Sequence, residues 1–494
     1  MSTIHLWDNT LHVQNLDETQ HYSYGREPLK LWGDTGNLRV LSSYTIGELM
    51  VNEGCEIIIW PNSFYEGNEE LKEQYIYRIT EKDGNKIDSV TTGNVVGFIG
   101  KGNTDIRIHS RFSSKDKNGE KSNDHFLYYM LEKVMSINMF SETSSSNNSK
   151  DQVFDFLLFF FPKMLKEALS QGMYKKYVYH EYNDANIRGV VDVNRHIRLN
   201  IPANGKIAYR TREFCYDNNV TQLIRHTIEF IRRKPLGKAI LHNDPDTEGC
   251  VQQIIQATPT FVPQKRQAVI NDNLRPVSHP YYTKYTALQK LCLRILRHEK
   301  LSYGTANDNK IHGLLIDAAW LWEEYVAKVL SEKGLGLKHY TRKNSPFYLF
   351  SDSNGSFQQI IPDYYDEDNN IVADAKYIPL HRSRKLDAER AAPIYYKTIM
   401  YMYRFDVSKG FLFHPCSKSD IEEMEKTNED VIEKYKDGIV VVTTYNIEER
   451  NGCTLRKVGI VIPKDESVID KYVTFREKMN TIENAFSEKM SSFL

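Results

Sequence analysis

Hydrophobic positions change rhythm along this chain. Over residues 1 to about 115 they come in short runs, such as Glu56–Trp60 (EIIIW), Val95–Ile99 (VVGFI) and Ile106–Ile108. Turn-forming clusters, Pro61-Asn62-Ser63 and Asp83-Gly84-Asn85, separate them. Short apolar runs between such breaks predict strands, so this segment is expected to be β-rich. Residues 114–123 (SKDKNGEKSN) are polar throughout and predict a surface loop. Spacing then lengthens to three and four, which predicts helices over His125–Met139 and Val153–Ala168. Between them Ser141–Lys150 (SETSSSNNSK) is a low-complexity segment, expected to be a mobile linker. Residues 174–215 read as strands and turns. Asn218–Arg233 reads as a helix with Asp217 at its N-cap, and Tyr281–Leu301 as another.

From about residue 311 the pattern changes again. Leu314–Leu330 carries Leu315, Ala318, Leu321, Trp322, Tyr325, Val326 and Val329 at helical spacing and predicts one amphipathic helix. Strands are expected around Phe347–Phe350, Phe357–Ile361 and Ile371–Tyr377, then a helix over Ala392–Tyr403, then strands at Gly410–Phe413 and Gly438–Thr443. The expected class is α+β and multidomain. A β-rich domain would span 1–120, a mixed helical and β region 121–310, and a layered α/β/α domain 311–494.

The length of 494 residues fits two or three domains. Lys plus Arg (64) balances Asp plus Glu (65), so only local patches can argue for nucleic acid. One such patch is 186–239, where eleven Lys/Arg face four acids. Another is His381-Arg382-Ser383-Arg384-Lys385. The six cysteines form no C-x-x-C pair, which argues against a zinc ribbon and for reduced thiols. No secretory signal is visible at Met1–Asn9. The longest apolar run, Phe156–Phe161, falls far short of the ~20 residues of a membrane span. A cytoplasmic protein with no membrane partner is the expectation. Gly97–Gly102 ends in Gly-Lys-Gly, but Val95 stands where a Walker A loop needs its first glycine, so no nucleotide site is read there.

One constellation carries chemistry. Pro362-Asp363 is followed, ten residues on, by Asp374-Ala375-Lys376. Apolar runs flank a polar turn, Asp366–Asn370, which predicts a β-hairpin. Side chains alternate along a strand, so Asp374 and Lys376 share a face and Ala375 takes the other. Asp363, read as ending the preceding strand, would lie beside Asp374 across the ladder. Two close carboxylates repel unless a cation joins them, and hard oxygen donors suit Mg²⁺. An ammonium beside them can orient a water or offset charge at a phosphate. Other [DE]-x-K triplets, at Glu70-Leu71-Lys72 and Asp308-Asn309-Lys310, lack an upstream Pro-Asp. An exposed hairpin with a surface Asp–Lys pair is the plainer alternative.

The whole pattern resembles the PD-(D/E)xK nucleases and, more closely, the McrC family, the nuclease subunit of McrBC-type restriction systems including their LlaJI-like branch. Asp317-Ala318-Ala319-Trp320-Leu321-Trp322-Glu323 is similar to the family's helix with a hydrophobic-aromatic-Glu step. Pro362-Asp363 and Asp374-Ala375-Lys376-Tyr377 are similar to its catalytic core. Tyr395-Tyr396-Lys397 with Tyr401 is similar to its next helix, and Phe413-His414-Pro415 to the following strand end. Weaker landmarks are Arg188-Gly189-Val190-Val191-Asp192 and Asp217-Asn218-Asn219.

The resemblance implies a PD-(D/E)xK restriction-endonuclease-like domain over 311–494. It implies that Asp363, Asp374 and the Ala375 carbonyl bind Mg²⁺, that Lys376 is the catalytic lysine, and that Glu323 supports metal or water. Arg382, Arg384, Lys385, Lys397 and Tyr401 would meet DNA phosphates. One departure stands out, since many such nucleases have Gln where this chain has Lys397. Lysine can meet a phosphate but cannot accept a hydrogen bond. The partners implied are double-stranded DNA and an McrB-like AAA+ GTPase, which would bind the GTP and dock on the middle region. Two strand breaks call for two or more nuclease copies. Two rival readings remain open: a non-catalytic activator of an AAA+ partner, and a stand-alone RecB-like repair nuclease.

Overall fold

The computed structural model describes residues 2–14, 26–29, 35–52, 55–63, 69–82, 86–102, 104–115, 122–135, 149–234, 237–242, 244–302, 311–380, 388–426, 432–448, 450–464 and 472–494. The chain is a mixed α/β protein of two compact units. One joins residues 1–136 to 307–494, and the other spans 137–306. The segments expected as separate first and last domains therefore belong to one unit.

The reason lies in a five-stranded sheet. Its strands are β1 (Ser2–Trp7), β2 (Cys55–Trp60), β3 (Val95–Lys101), β4 (Thr104–His109) and β5 (Ile311–Asp317), in the spatial order β1-β4-β3-β5-β2. β5 runs antiparallel to β3 and parallel to β2, so residues 311–317 complete a sheet begun in the first hundred residues. The single helix predicted over Leu314–Leu330 is thus a strand followed by a helix. A strand paired on both edges and buried shows a continuous apolar run, and periodicity cannot tell that from a buried helix. The break falls at Asp317, whose carboxylate accepts from the N–H groups of Ala319 and Trp320 at 3.0 and 3.1 Å and caps the helix. Gly313 is required at the β3 crossing, where a Cβ would stand 2.5 Å from the Phe98 carbonyl oxygen. Gly97–Lys101, the run ending in Gly-Lys, lies in β3 itself.

Helix α1 (His125–Met135) follows the first sheet, and α2 (Ala318–Glu332) follows β5. The second sheet has seven strands. These are β6 (Lys338–His339), β7 (Tyr364–Asp366), β8 (Ile371–Ala375), β9 (Lys409–Cys416), β10 (Ile432–Tyr435), β11 (Val440–Asn446) and β12 (Thr454–Val461). Their order is β6-β7-β8-β9-β12-β11-β10, with β8, β9 and β12 mutually parallel at the centre. Between β8 and β9 runs the helix Ala388–Arg404, and the chain closes with the helix Tyr472–Ser491. Three helices meet at one buried carboxylate. Glu483 accepts from the hydroxyls of Tyr129 and Tyr325 at 2.8 and 2.9 Å, and Lys133 reaches it at 2.9 Å. Trp322 donates its indole N–H to the Phe413 carbonyl at 3.1 Å, tying α2 to β9.

The other unit is mostly helical. Ser149–Leu169, Asn219–Arg232, Pro245–Ala257 and Thr283–Ser302 are its longer helices. A three-stranded antiparallel sheet, Lys176–Asp184, Ile207–Cys215 and Val190–Val191, carries the short helix Val193–Asn200, which the expected strands and turns over 174–215 did not include. That helix is capped by Asp192, whose carboxylate accepts from the Arg195 N–H at 3.1 Å. The cap of Asn219–Arg232 is Asn218, not Asp217. Asp217 instead accepts from Thr260 N–H at 3.0 Å and from Gln222 at 2.6 Å. Of the linker expected over 141–150, residues 141–148 lie outside the described residues, and Ser149 and Lys150 open the helix Ser149–Leu169. Among the described residues no helix is long and apolar enough to cross a membrane.

Candidate functional site

The predicted hairpin is present. β7 and β8 pair antiparallel, with Tyr364 opposite Ala373 and Asp366 opposite Ile371. Asp366 closes the turn by accepting from Asn369 through both its backbone N–H (3.2 Å) and its side-chain amide (2.6 Å). Asp363 stands just before β7 rather than ending a preceding strand. One step beyond the Tyr364–Ala373 pair, it falls beside Asp374, and its Oδ2 accepts from the Ala375 N–H at 2.7 Å.

Asp374 is fully buried. The Nζ of Lys376, two residues on and on the same face, contacts its Oδ2. Lys397, on the helix Ala388–Arg404, brings its Nζ to 3.7 Å from Oδ1. Among the described residues these two ammonium groups are the ion-pair partners of the buried Asp374 oxygens. Burial pushes the Asp374 carboxyl upward, but Lys376 and then Lys397 outweigh it and hold the group well below the usual carboxylate range. Asp363 moves the other way. Burial, then the charge of Asp374, then that of Glu323 push its carboxyl well above the ordinary value. The two neighbouring carboxyls are thus driven in opposite directions.

Glu323, on α2, is the third acid. Its Oε1 is met by His339 Nε2 of β6 at 3.0 Å, and its backbone carbonyl accepts from the Tyr364 hydroxyl at 2.6 Å. Burial lowers the His339 pKa, but the hydrogen bond and charge of Glu323 outweigh it and leave it raised. His339 is a residue the sequence did not flag. It sits on a two-residue strand, and nothing local marks it.

The family resemblance implies Mg²⁺ at this donor set. Among the described residues no group of three or more His, Cys, Asp or Glu side chains is arranged to hold a metal. Mg²⁺ asks for less, namely one or two carboxylates, with waters or substrate oxygens filling the remainder. The buried carboxylate of Asp374, beside Asp363, matches that pattern, with Lys376 and Lys397 next to it.

The expected phosphate contacts divide three ways. Lys397 lies at the site. Tyr401 does not face outward. It is buried and donates its hydroxyl to the Ile361 carbonyl at 2.7 Å, so it braces the backbone leading into Pro362-Asp363. Arg382, Arg384 and Lys385 lie outside the described residues.

The sequence profile of a family described as the McrBC 5-methylcytosine restriction system component matches residues 90–415. The chain belongs to this McrBC family. The matched span contains Glu323, Asp363, Asp374, Lys376 and Lys397, and the resemblance to the McrC family read from those residues is borne out. Two solved structures similar to this McrBC-family chain are both from Thermococcus gammatolerans. One is the half-complex from a tetradecameric assembly of McrB AAA+ hexamers with bound McrC, at 15% identity and TM-score 0.43, covering 97% of this chain and 100% of that one. The other is the McrBC complex, at 14% identity and TM-score 0.31, covering 68% and 90%. No curated protein matches the chain.

Proposed function

We propose that this McrBC-family protein is the nuclease subunit of a restriction system, cutting DNA phosphodiester bonds with Mg²⁺ in a PD-(D/E)xK site. The observation that carries the reading is the convergence of Asp363, Asp374, Lys376 and Lys397 at the end of β8, with the charge of Glu323 acting on Asp363. Asp363, Asp374 and the Ala375 carbonyl would hold Mg²⁺. When bound, the ion supplies positive charge at the phosphate and acidifies a water. The chain's own groups do the rest. Lys376 orients the attacking water and offsets the charge that builds at phosphorus as the new P–O bond forms and the ester P–O bond breaks. Lys397 meets a phosphate oxygen as a donor, a role open to lysine where glutamine is more usual. Glu323, fixed by His339, keeps a negative group beside Asp363.

We assign the partner by the same reading. Gly97–Lys101 is a strand, and nucleotide hydrolysis would come from a separate AAA+ GTPase. Helices and the basic stretch 186–239 in residues 137–306 would serve docking and DNA. Two nuclease copies would be needed for a double-strand break.

The test is plasmid cleavage by wild type and Asp374→Ala, with Mg²⁺ or EDTA, with and without the neighbouring AAA+ protein and GTP, on methylated and unmethylated DNA. Cutting that needs Mg²⁺, GTP, the partner and Asp374 supports the proposal. Cutting without partner or GTP points to a stand-alone nuclease. No cutting, with stimulation of the partner's GTPase that Asp374→Ala leaves unchanged, points to a non-catalytic activator.

A further inference from the structure

β8 ends at Ala375, and beyond it the ladder gives the chain one more tie, Lys376 N–H to the Phe413 carbonyl at 2.8 Å. The backbone after Lys376 must therefore be held by something other than strand pairing. The groups that hold it come from the first sheet. Asp8 follows β1 and Arg111 follows β4, and these strands are parallel neighbours with Trp7 opposite His109. Asp8 is completely buried and Arg111 nearly so. The Arg111 backbone N–H donates to Asp8 Oδ1, and its Nη1 lies 3.1 Å from Oδ2. The same Nη1 donates to the Tyr377 carbonyl at 3.5 Å. Asn9 Nδ2 donates to that carbonyl at 3.2 Å. The guanidinium also lies over the Tyr377 ring, 4.3 Å from its centroid.

A buried ion pair adds little stability over an apolar pair of the same volume, because desolvation offsets its attraction. Here the pair has a directional task. The carbonyl it engages belongs to the residue directly after Lys376, and the next one, of Ile378, is met by His414 Nδ1 of β9 at 3.3 Å. Burial, then Lys457, hold the His414 pKa down to about 3, so the ring there is neutral and can donate from Nδ1.

We infer that Asp8, Asn9 and Arg111 form a positioning clamp, which sets the place of Lys376 at the phosphate by fixing the Tyr377 carbonyl. The inference rests on the nuclease reading of Lys376. It gives the first sheet a task in the reaction itself, in addition to any partner or DNA contact.

The test uses the full chain with its AAA+ partner, GTP, Mg²⁺ and plasmid. Asn9 has φ of +50°, which glycine adopts freely, so Asn9→Gly removes the donor without straining the backbone, and with it the bonds of Nδ2 to Asn94 Oδ1 at 2.8 Å and Asp8 Oδ2 at 3.3 Å. Arg111→Lys is the second variant, keeping a charge beside Asp8 while losing the planar fork. Misplacing a reacting group by about 1 Å can cost about a hundredfold in rate. The expected result is a kcat lowered at least about tenfold, with KM for DNA and partner GTPase stimulation unchanged in Asn9→Gly, and faster amide exchange at residues 376–378. Arg111→Lys should show the same exchange change. An active wild type whose Asn9→Gly variant matches it in kcat and in exchange overturns the clamp and leaves the nuclease reading standing. A wild type that cuts no DNA overturns the nuclease reading, and the catalytic role of the clamp with it.

Discussion

Lys397 Nζ stands 3.7 Å from Asp374 Oδ1, across from Lys376 on Oδ2, so one buried carboxylate is flanked by two ammonium groups. The residue that departs from the expected glutamine is thus drawn into the site. On the proposed reading its charge sits where a divalent ion would be attracted, and the two would compete for the same oxygens. Lys397→Gln should therefore reach half-maximal cleavage at several-fold lower Mg²⁺. A titration showing a higher Mg²⁺ requirement would count against the competition.

Asp363 offers a contrast between stability and activity. Its carboxyl sits against Asp374 at a cost in repulsion, while its Oδ2 accepts the Ala375 N–H. Asp363→Asn keeps an acceptor there and removes the repulsion. Cleavage should fall by at least about a hundredfold, as when a group that stabilises developing charge is lost. Thermal unfolding should occur at an unchanged or higher temperature. A clear drop in melting temperature would show that the acid serves the fold instead.

Glu323 is steered by His339 at 3.0 Å. Groups that orient a ligand or its neighbour typically matter by about ten- to a hundredfold. His339→Ala should lower cleavage by about tenfold at saturating Mg²⁺, with His339→Gln, which keeps a donor, closer to wild type. Equal rates for all three proteins would remove Glu323 from the site.

Acid should weaken residues 137–306 through His226. Burial, then Arg266 and Arg225, hold its pKa down to about 4, below the ordinary 6.5. A depressed folded-state value means the unfolded chain binds the proton first. The neutral ring therefore contributes stability above pH 6.5 that is lost as pH falls through 4. Hydrogen exchange in the helix Asn219–Arg232, followed from pH 7 to pH 4 and corrected for intrinsic rates, should show that loss. His226→Leu should flatten it, and an unchanged slope in that variant would assign the loss to other groups.

The hairpin and its acids were legible because their signal is local. An alternation of two, a polar turn and the pair Asp374/Lys376 on one face follow from strand geometry. Asp363 was placed at the correct neighbour but on the wrong side of its strand, since a one-residue boundary carries little pattern. Lys397 could be named as a departure, but not as a partner of Asp374, because 23 residues and a change from strand to helix separate them.

Sequence by itself determined the family, the acid–lysine constellation and the mixed α/β class, all of which depend on residue type and short spacing. Tertiary structure alone decided that Leu314–Asp317 is a strand and that residues 1–136 and 307–494 are one unit. It alone brought Asn9 and Arg111 to the carbonyl beside Lys376. A continuous apolar run satisfies a helix and a doubly paired strand equally well, and only the presence of β2 and β3 on its two edges, some two to three hundred residues earlier, selects the strand.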